Sequence, residues 1–155
     1  MNTTLEEEQT EESQDAMADL YIIFFIDGKE YGIEIRYLIE IIPNLPKYVK
    51  GVIDLRGKII PVIDVRIRFG IPEIEYTDNT CILILNFNNL NVGLIVDGVK
   101  EVLKIPNDSI EPSPGFEEAN MEKFVDSIGK SGDTLNILIN VEKFINEKDV
   151  KKIIA

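Results

Sequence analysis

Part of this chain repeats itself. Residues 21–42 align without a gap on residues 82–103. A repeat of this length spans only a few strands, so we expect two similar β units, each too small to be very stable alone. The aligned pairs of like residues include Gly32 with Gly93, Leu38 with Val99, Glu40 with Glu101 and Ile41 with Val102.

A second pair of segments extends the repeat. Residues 62–65 match residues 138–141 at a larger offset, so the second unit carries an insertion of about 15 residues, for which the segment 106–131 has room. Within that segment, residues 116–124 have the pattern of a helical turn. Residues 142–154 have spaced apolar positions with charges between them, which predicts a C-terminal helix packed on the second unit.

Short runs rich in Ile and Val follow one another after Asp19. Turn-forming pairs separate them, among them Asp27-Gly28, Arg56-Gly57 and Asn88-Asn89. Many short strands at this spacing are typical of an all-β sandwich or of barrels, not of a parallel α/β sheet. The runs cover residues 20–26, 31–35, 38–42, 59–65, 81–87, 92–96, 99–105 and 135–141.

Charge and residue content narrow the functional classes. The 155 residues include 28 acidic and 16 basic side chains, a net charge of −12, which suits neither nucleic acid nor an anionic membrane. Residues 1–18 hold acids and no Lys or Arg, so we expect a disordered acidic tail. No histidine is present and Cys81 is the single cysteine, which removes imidazole chemistry and intramolecular disulfides. No apolar run reaches the ~20 residues of a membrane span, so we expect a cytoplasmic protein.

The motifs that suggest catalysis are weak. Gly129-Lys130-Ser131 resembles the end of a phosphate loop, but Phe124 stands where that loop requires glycine. Asp54 and Asp64 could form a carboxylate pair, yet each lies at a strand end, where Asp commonly binds local backbone. Cys81 has no nearby base, which favours a buried core thiol over a nucleophile. We therefore expect no catalytic residue, no metal and no cofactor.

Arg56 is the main candidate for a binding residue. It lies with Gly57 at a turn between two apolar strands, and Gly57 suits a backbone with positive φ. Arg56 is either a solvated turn residue or an ordered cation paired with a carboxylate, for which Glu40 is a candidate.

Four segments of the chain form a specific pattern in this order: residues 31–35 (YGIEI), 48–57 (YVKGVIDLRG), 61–66 (PVIDVR) and 92–99 (VGLIVDGV). Together they make the chain resemble the CheW family, the adaptor proteins of bacterial chemotaxis. The resemblance covers about 20–147.

The resemblance implies a fold of two intertwined five-stranded SH3-like barrels with a C-terminal helix. Carried onto this chain, one barrel spans about 24–81, and the other combines 19–23 with 82–147. The acidic tail 1–18 precedes them and the helix ends over 148–155. The implied boundaries agree with the division of the chain into two repeated units.

The resemblance also implies a function without catalysis. The family links the histidine kinase CheA to the cytoplasmic tips of methyl-accepting chemoreceptors, without nucleic acid and without direct membrane insertion, and we expect a monomer in isolation. The implied receptor-binding residues are Leu38, Glu40, Ile41, Gly51, Val52, Asp54, Leu55, Arg56 and Gly57. The implied kinase-binding residues, assigned to the second barrel, are Leu85, Val92, Leu94 and Val96.

Two features depart from the family pattern. The connection after Ile41 is about eight residues shorter than is usual in the family, and Asp54 stands where family members commonly have Asn. Two other functions remain open at this point. One is an adaptor of the same family in another motility or signalling kinase array. The other is a small-molecule-binding β-barrel, which would need a cavity inside the barrel.

Overall fold

The computed structural model describes residues 17–45, 49, 51–113 and 123–145, which form strands joined by short turns. Two short helices are α1 (Val65–Arg68) and α2 (Val141–Phe144), and Ile35–Tyr37 and Asn107–Ser109 are single 3₁₀ turns. The strands are β1 (Leu20–Ile26), β2 (Lys29–Glu34), β3 (Leu38–Ile42), β4 (Val52–Leu55), β5 (Lys58–Asp64), β6 (Cys81–Phe87), β7 (Leu90–Val96), β8 (Gly98–Lys104), β9 (Ile110–Pro112), β10 (Val125–Ser131) and β11 (Thr134–Ile139).

These strands form two sheets. The five-stranded sheet has the order β3-β6-β7-β5-β4, and the six-stranded sheet has the order β8-β1-β2-β11-β10-β9. Neighbouring strands are antiparallel except for β5 with β7 and β2 with β11, which are parallel. The predicted all-β fold class is confirmed. The sixth strand, β9, lies in the segment where an insertion was predicted.

The strand boundaries confirm the internal repeat. In the alignment that places residue 82 on residue 21, β6, β7 and β8 fall on β1, β2 and β3. The parallel pairs correspond as well, because Gly93 lies opposite Val62 and Gly32 lies opposite Leu138. Val62 and Leu138 are themselves matched residues of the second repeated segment.

The two short helices are also equivalent. Each follows a strand that pairs in parallel with the glycine-containing strand of a hairpin, and each begins after a capping side chain. The carboxylate of Asp64 accepts a hydrogen bond from the backbone N–H of Arg66, and the amide oxygen of Asn140 accepts one from that of Lys143. Such caps satisfy N–H groups that a helix leaves unpaired at its start.

Each repeat gives its third strand to the other sheet. β1 and β2 form a hairpin in the six-stranded sheet, but β3 leaves them and pairs with β6. In the same way β6 and β7 form a hairpin in the five-stranded sheet, and β8 crosses back to pair with β1. The chain crosses first through Ile35–Tyr37 and then at the single residue Asp97. The two units are therefore intertwined by exchange of their third strands.

The sheet to which each hairpin belongs differs from the predicted barrel boundaries. The hairpin over 20–34 was divided between the barrels at residue 24, yet all of it lies in the six-stranded sheet. The hairpin over 81–96 was assigned to the second barrel, and it lies in the five-stranded sheet. The physical reason is that hairpins stay together, since a two-residue turn holds their strands side by side, whereas the third strand is free to cross.

Three apolar clusters form the core. The inter-sheet core contains residues of both sheets, including Ile22 and Phe24 from β1 and Leu83 and Leu85 from β6. The other two clusters lie inside one curled sheet each. The cluster inside the five-stranded sheet is formed by Ile60, Val62, Ile82, Ile84 and Ile95, and that inside the six-stranded sheet by Ile23, Ile105 and Leu138.

Aromatic rings join the two halves within the inter-sheet core. Phe69, which ends α1, packs against Tyr31 of β2 at a ring-centroid distance of 5.4 Å. It also contacts Phe124 at 6.0 Å and Phe144 at 5.7 Å, and these two rings contact each other at 5.2 Å. Aromatic pairs at such distances stabilise a core beyond the area they bury.

Several predicted segments lie outside the described residues. They are residues 1–16 of the predicted acidic tail, residues 116–122 of the predicted helical turn and residues 146–155 of the predicted C-terminal helix. The part of that helix within the described residues begins one position earlier than predicted, at Val141, and α2 ends at Phe144.

Gly93 allows a close approach of strands that a larger residue would prevent. A Cβ at Gly93 would lie 2.8 Å from Cγ2 of Ile82, a methyl group held rigidly by a β-branched side chain. We expect Gly93→Ala to lower the free energy of unfolding by about 1–3 kcal/mol, as overpacking of a core does. Urea denaturation measures the change.

Gly98→Ala is the matched control for that substitution. Its Cβ would meet nothing nearer than 3.5 Å, at Asn79, so we expect a change within about 0.5 kcal/mol. Equal losses in the two variants would contradict the close-packing explanation.

Candidate protein-docking site

The turn between β4 and β5 orients Arg56. Leu55 pairs with Lys58, so the turn has two residues, Arg56 and Gly57, with φ values of 53° and 82°. Two positive φ values are characteristic of a type I′ hairpin turn, which fits the twist of the flanking strands. The carboxylate of Asp54 accepts a hydrogen bond of 3.0 Å from the backbone N–H of Gly57 and so braces the turn. An Asn amide oxygen could accept the same bond.

Arg56 forms a bidentate ion pair with Glu40 of β3. Nη1 donates to Oε1 at 2.8 Å and Nη2 donates to Oε2 at 3.1 Å. The predicted pairing with Glu40 is present, and the Arg56 side chain is at the same time largely solvated. Hydrogen bonding to Arg56 lowers the pKa of Glu40, and the same contact raises the pKa of Arg56.

The ion pair connects the two edge strands of the five-stranded sheet. β3 lies at one edge, and β4, which leads into the Arg56 turn, lies at the other. The Arg56 side chain is 72% exposed and that of Glu40 28% exposed, so solvent weakens the pair and its contribution to stability is small. Its directional geometry gives the exposed guanidinium one orientation, which a Lys could not reproduce.

Exposed apolar side chains lie on the strands joined by the pair. Ile39 and Ile41 flank Glu40 on β3, Val52 lies on β4, and Ile59 on β5 is 70% exposed. Ile41 pairs with Leu83 of the inter-sheet core, so it extends that core to the surface. We define the docking surface as Ile39, Glu40, Ile41, Val52, Arg56 and Ile59.

The other predicted receptor-binding residues have structural contacts. Leu38 packs against the inter-sheet core and Leu55 against the core inside the five-stranded sheet. The backbone oxygen of Gly51 accepts a hydrogen bond of 2.8 Å from Val62. Gly57 and Asp54 shape the turn. Of the predicted residues, Leu38, Glu40 and Leu55 are half-buried and the other six are exposed: Ile41, Gly51, Val52, Asp54, Arg56 and Gly57.

The predicted kinase-binding residues lie elsewhere than expected. Leu85, Val92, Leu94 and Val96 belong to β6 and β7 of the five-stranded sheet, and all four side chains are fully buried in the inter-sheet core. These side chains therefore form no exposed surface in this structure, and their role in kinase binding stays a prediction. The opposite sheet covers the face of the hairpin on which they lie.

Two exposed residues of the docking surface were not predicted. The pairing of β3 with β6 shifts register between Leu38 and Glu40, so Ile39 lies in a bulge. Exposure still alternates along β3, with Ile39 and Ile41 exposed and the other three residues half-buried, so alternation with Ile41 would have indicated Ile39. Ile59 could have been found from alternation alone, since its neighbours Ile60 and Val62 point into the core.

The residues considered for catalysis have structural roles. Asp64 caps α1, and burial raises the pKa of its carboxyl group. Gly129 lies within the ladder between β10 and β11, not in a phosphate-binding loop. Within the described ranges, no group of three or more Cys, Asp or Glu side chains is placed to hold a metal ion.

Cys81 is the buried thiol that the sequence predicted. Burial raises its pKa to about 11. We expect less than about 1% thiolate at pH 8, and therefore slow reaction with a disulfide reagent in the native protein. Stopped-flow labelling measures the rate, and labelling in concentrated urea, which exposes the thiol, is the control. Equally rapid reaction with and without urea would contradict the buried assignment.

The fold and the docking surface together describe a class of protein: a two-sheet β-protein with an oriented cation and exposed apolar side chains at the edges of one sheet. A family model described as CheW-like domain matches residues 20–149. The chain is 35% identical to a chemotaxis protein CheW of Klebsiella aerogenes, over 84% of this chain and 83% of that protein. It is 32% identical to a chemotaxis protein CheW of Bacillus subtilis, over 82% and 86% of the two chains. The chain belongs to the CheW-like family.

A solved structure supports this assignment. The crystal structure of the scaffolding protein TtCheW from Thermoanaerobacter tengcongensis is 34% identical and superposes with a TM-score of 0.69, covering 81% of this chain and 91% of that one. Across the described part of the chain, no helix is both long enough and apolar enough to cross a lipid bilayer.

Proposed function

We propose that this chain is a non-catalytic adaptor that links a CheA-type histidine kinase to the cytoplasmic tips of chemoreceptors. Family membership supports the role in chemotaxis, since the related proteins are named chemotaxis proteins and a scaffolding protein. The observation that carries the proposal is the oriented guanidinium of Arg56 on a sheet whose edge strands carry exposed apolar side chains. The adaptor acts in the cytoplasm, where both partners present the surfaces it binds.

The docking surface has the chemistry to hold a receptor tip. Receptor tips are helical hairpins, and a helix can place apolar residues spaced three or four positions apart against Ile41, Val52 and Ile59. Arg56 would orient the helix through a carboxylate or a helix C-terminus, with Glu40 holding the guanidinium in place. The area available is small, so we expect an interface below about 1,200 Å² and a weak binary affinity.

Kinase binding is proposed on the six-stranded half. The residues that the resemblance assigned to the kinase are buried in the five-stranded sheet, so the proposal rests on Leu135 of β11, an exposed apolar side chain of the six-stranded half. Receptor and kinase would then occupy different sheets of one small protein. Binding both raises the effective concentration of the kinase at the receptor without a strong contact to either partner.

The receptor surface is tested by charge reversal at Arg56. We expect Arg56→Glu to weaken binding of a receptor-tip fragment by at least about tenfold, because two carboxylates then repel each other and the guanidinium is lost. Arg56→Lys should give a smaller loss. Combining Arg56→Glu with Glu40→Arg should recover part of the affinity. Isothermal titration with receptor tip and with kinase measures both affinities for each variant.

Lys130→Glu is the control for that series. Lys130 also forms an exposed ion pair, with Glu111, but on the six-stranded sheet, so receptor affinity should not change. If Arg56→Glu binds the receptor tip as the unmodified chain does, the docking surface is elsewhere. If receptor and kinase affinities fall equally, damage to the fold explains the result instead.

Kinase docking is tested at Leu135. We expect Leu135→Glu to weaken kinase binding by at least about tenfold, since a charge replaces an apolar contact in the interface, while receptor binding stays unchanged. The same titrations measure this. Unchanged kinase affinity would show that Leu135 is not part of the kinase interface.

The small-molecule barrel has little support. Such a barrel needs an internal cavity, yet apolar side chains pack inside both curled sheets. The other alternative, an adaptor in a different motility or signalling array, differs only in its partners. Affinity purification of the chain from native lysate distinguishes a chemotaxis array from another signalling array by showing whether a chemoreceptor and a CheA-type kinase are retained together.

A further inference from the structure

Arg66 is the most highly connected charged side chain in the described part of the structure. It is 8% exposed. Its Nε donates to Oδ1 of Asp97 at 2.9 Å, its Nη2 donates to Oδ2 of Asp97 at 2.8 Å, and its Nη1 donates to the backbone oxygen of Pro72 at 3.0 Å. A carboxylate oxygen of Asp27 lies 3.5 Å from Nη2. The guanidinium is therefore held from several directions.

These contacts join the two sheets. Arg66 lies on α1, directly after β5 of the five-stranded sheet. Asp97 is the single residue at which the chain crosses from β7 to β8, and its backbone N–H donates to Phe25 of β1 at 3.0 Å. Asp27 lies in the turn between β1 and β2, and its backbone N–H donates to Asp97 at 2.8 Å. One guanidinium thus connects the five-stranded sheet to the crossover and to a hairpin turn of the six-stranded sheet.

A second arginine on α1 reaches another part of the six-stranded half. The Nε and Nη2 of Arg68 donate to the backbone oxygen of Phe144 at 3.1 and 2.9 Å. Its guanidinium lies over the ring of Phe124, 4.8 Å from the centroid. Between the two arginines, α1 is anchored to the six-stranded half at both of its ends.

The internal repeat contains a region equivalent to this contact between the crossover and the short helix. Asp97 corresponds to Arg36 when residue 82 is aligned with residue 21. Glu142 corresponds to Arg66 when residue 138 is aligned with residue 62. In the equivalent region, the arginine therefore lies on the crossover and the carboxylate lies on the short helix. There Arg36 pairs with Glu34 at 2.6 Å and stacks on Tyr37, while Arg36 and Glu142 line a cavity of about 270 Å³. The guanidinium of Arg66 fills the first contact region, whereas the equivalent region contains a cavity.

We propose that Arg66 is the positioning residue of this scaffold: it fixes the six-stranded sheet against the five-stranded sheet, so that partners bound to the two halves keep one relative orientation. The statement about the two sheets concerns this chain alone. The functional part, the statement about bound partners, rests on the proposed adaptor function. A Lys at this position offers a single point charge and cannot reproduce contacts in the directions of Asp97 and Pro72.

The proposal predicts a change in geometry when Arg66 is replaced. Removing the guanidinium leaves the Asp97 carboxylate without its cation and frees the crossover from α1. We expect Arg66→Met to broaden or shift the distance distribution between the sheets, and Arg66→Lys to do so less. Pulsed electron spin resonance measures it on the full chain with Cys81→Ala and spin labels at Lys58→Cys and Asp133→Cys, both exposed positions.

Lys130→Met is the matched control, because it removes an exposed ion pair within the six-stranded sheet. It should leave the distance distribution unchanged. A folded Arg66→Met chain with the unmodified distribution would overturn the proposal. If Arg66→Met does not fold, Asp97→Asn is measured instead, since the amide keeps the shape of the carboxylate and loses only its charge. An unchanged distribution in that variant would equally overturn the proposal.

A binding experiment tests the functional part. Binary affinities of Arg66→Lys for a receptor-tip fragment and for the kinase should stay within about twofold, while assembly of the three-component complex falls by about tenfold. Unchanged assembly together with a changed distance distribution would overturn the functional part. If the unmodified chain binds neither partner, the adaptor function is wrong, and the distance measurement still decides the role of Arg66.

Discussion

The inter-sheet core is the constraint on which the structure depends. A central strand such as β6 is buried on both faces, with Leu83 and Leu85 against the opposite sheet and Ile82 and Ile84 inside its own sheet. Exposing the outer face of either sheet to water would cost free energy, because both faces are strongly apolar. Each unit is stable only because the other covers it, which agrees with the small size of the repeats.

The docking surface follows from how the five-stranded sheet ends. Edge strands present unpaired backbone groups, and proteins commonly protect them with charges or bulges. Here β3 carries a bulge at Ile39, and Glu40 reaches across to Arg56 beyond the opposite edge. The same edge strands carry the exposed side chains of Ile41 and Val52. The candidate docking surface thus lies where a side-chain ion pair connects the two edges of the sheet.

The sequence predicted features that depend on local pattern and on specific residue pairs. Strand positions, the repeat and the Glu40–Arg56 pair could all be found, because alternation, turn residues and opposite charges are visible in one dimension. The sheet to which each strand belongs could not be found. Alternation shows that Leu85 and Val92 have a buried face, but not that both faces of their hairpin are covered. Alternation alone therefore did not show that these side chains are buried where the opposite sheet covers them.

The exchange of third strands has a consequence for biosynthesis. As the chain leaves the ribosome, β1 and β2 can form their hairpin at once, but β3 must wait for β6, and β1 must wait for β8. β2 gains its other neighbour only when β11, close to the end of the described chain, has been made. Such distant pairings are slow to form because long loops must close first. The five-stranded sheet, in contrast, consists only of strands between residues 38 and 96, so it can be completed before the last strands of the six-stranded sheet are made.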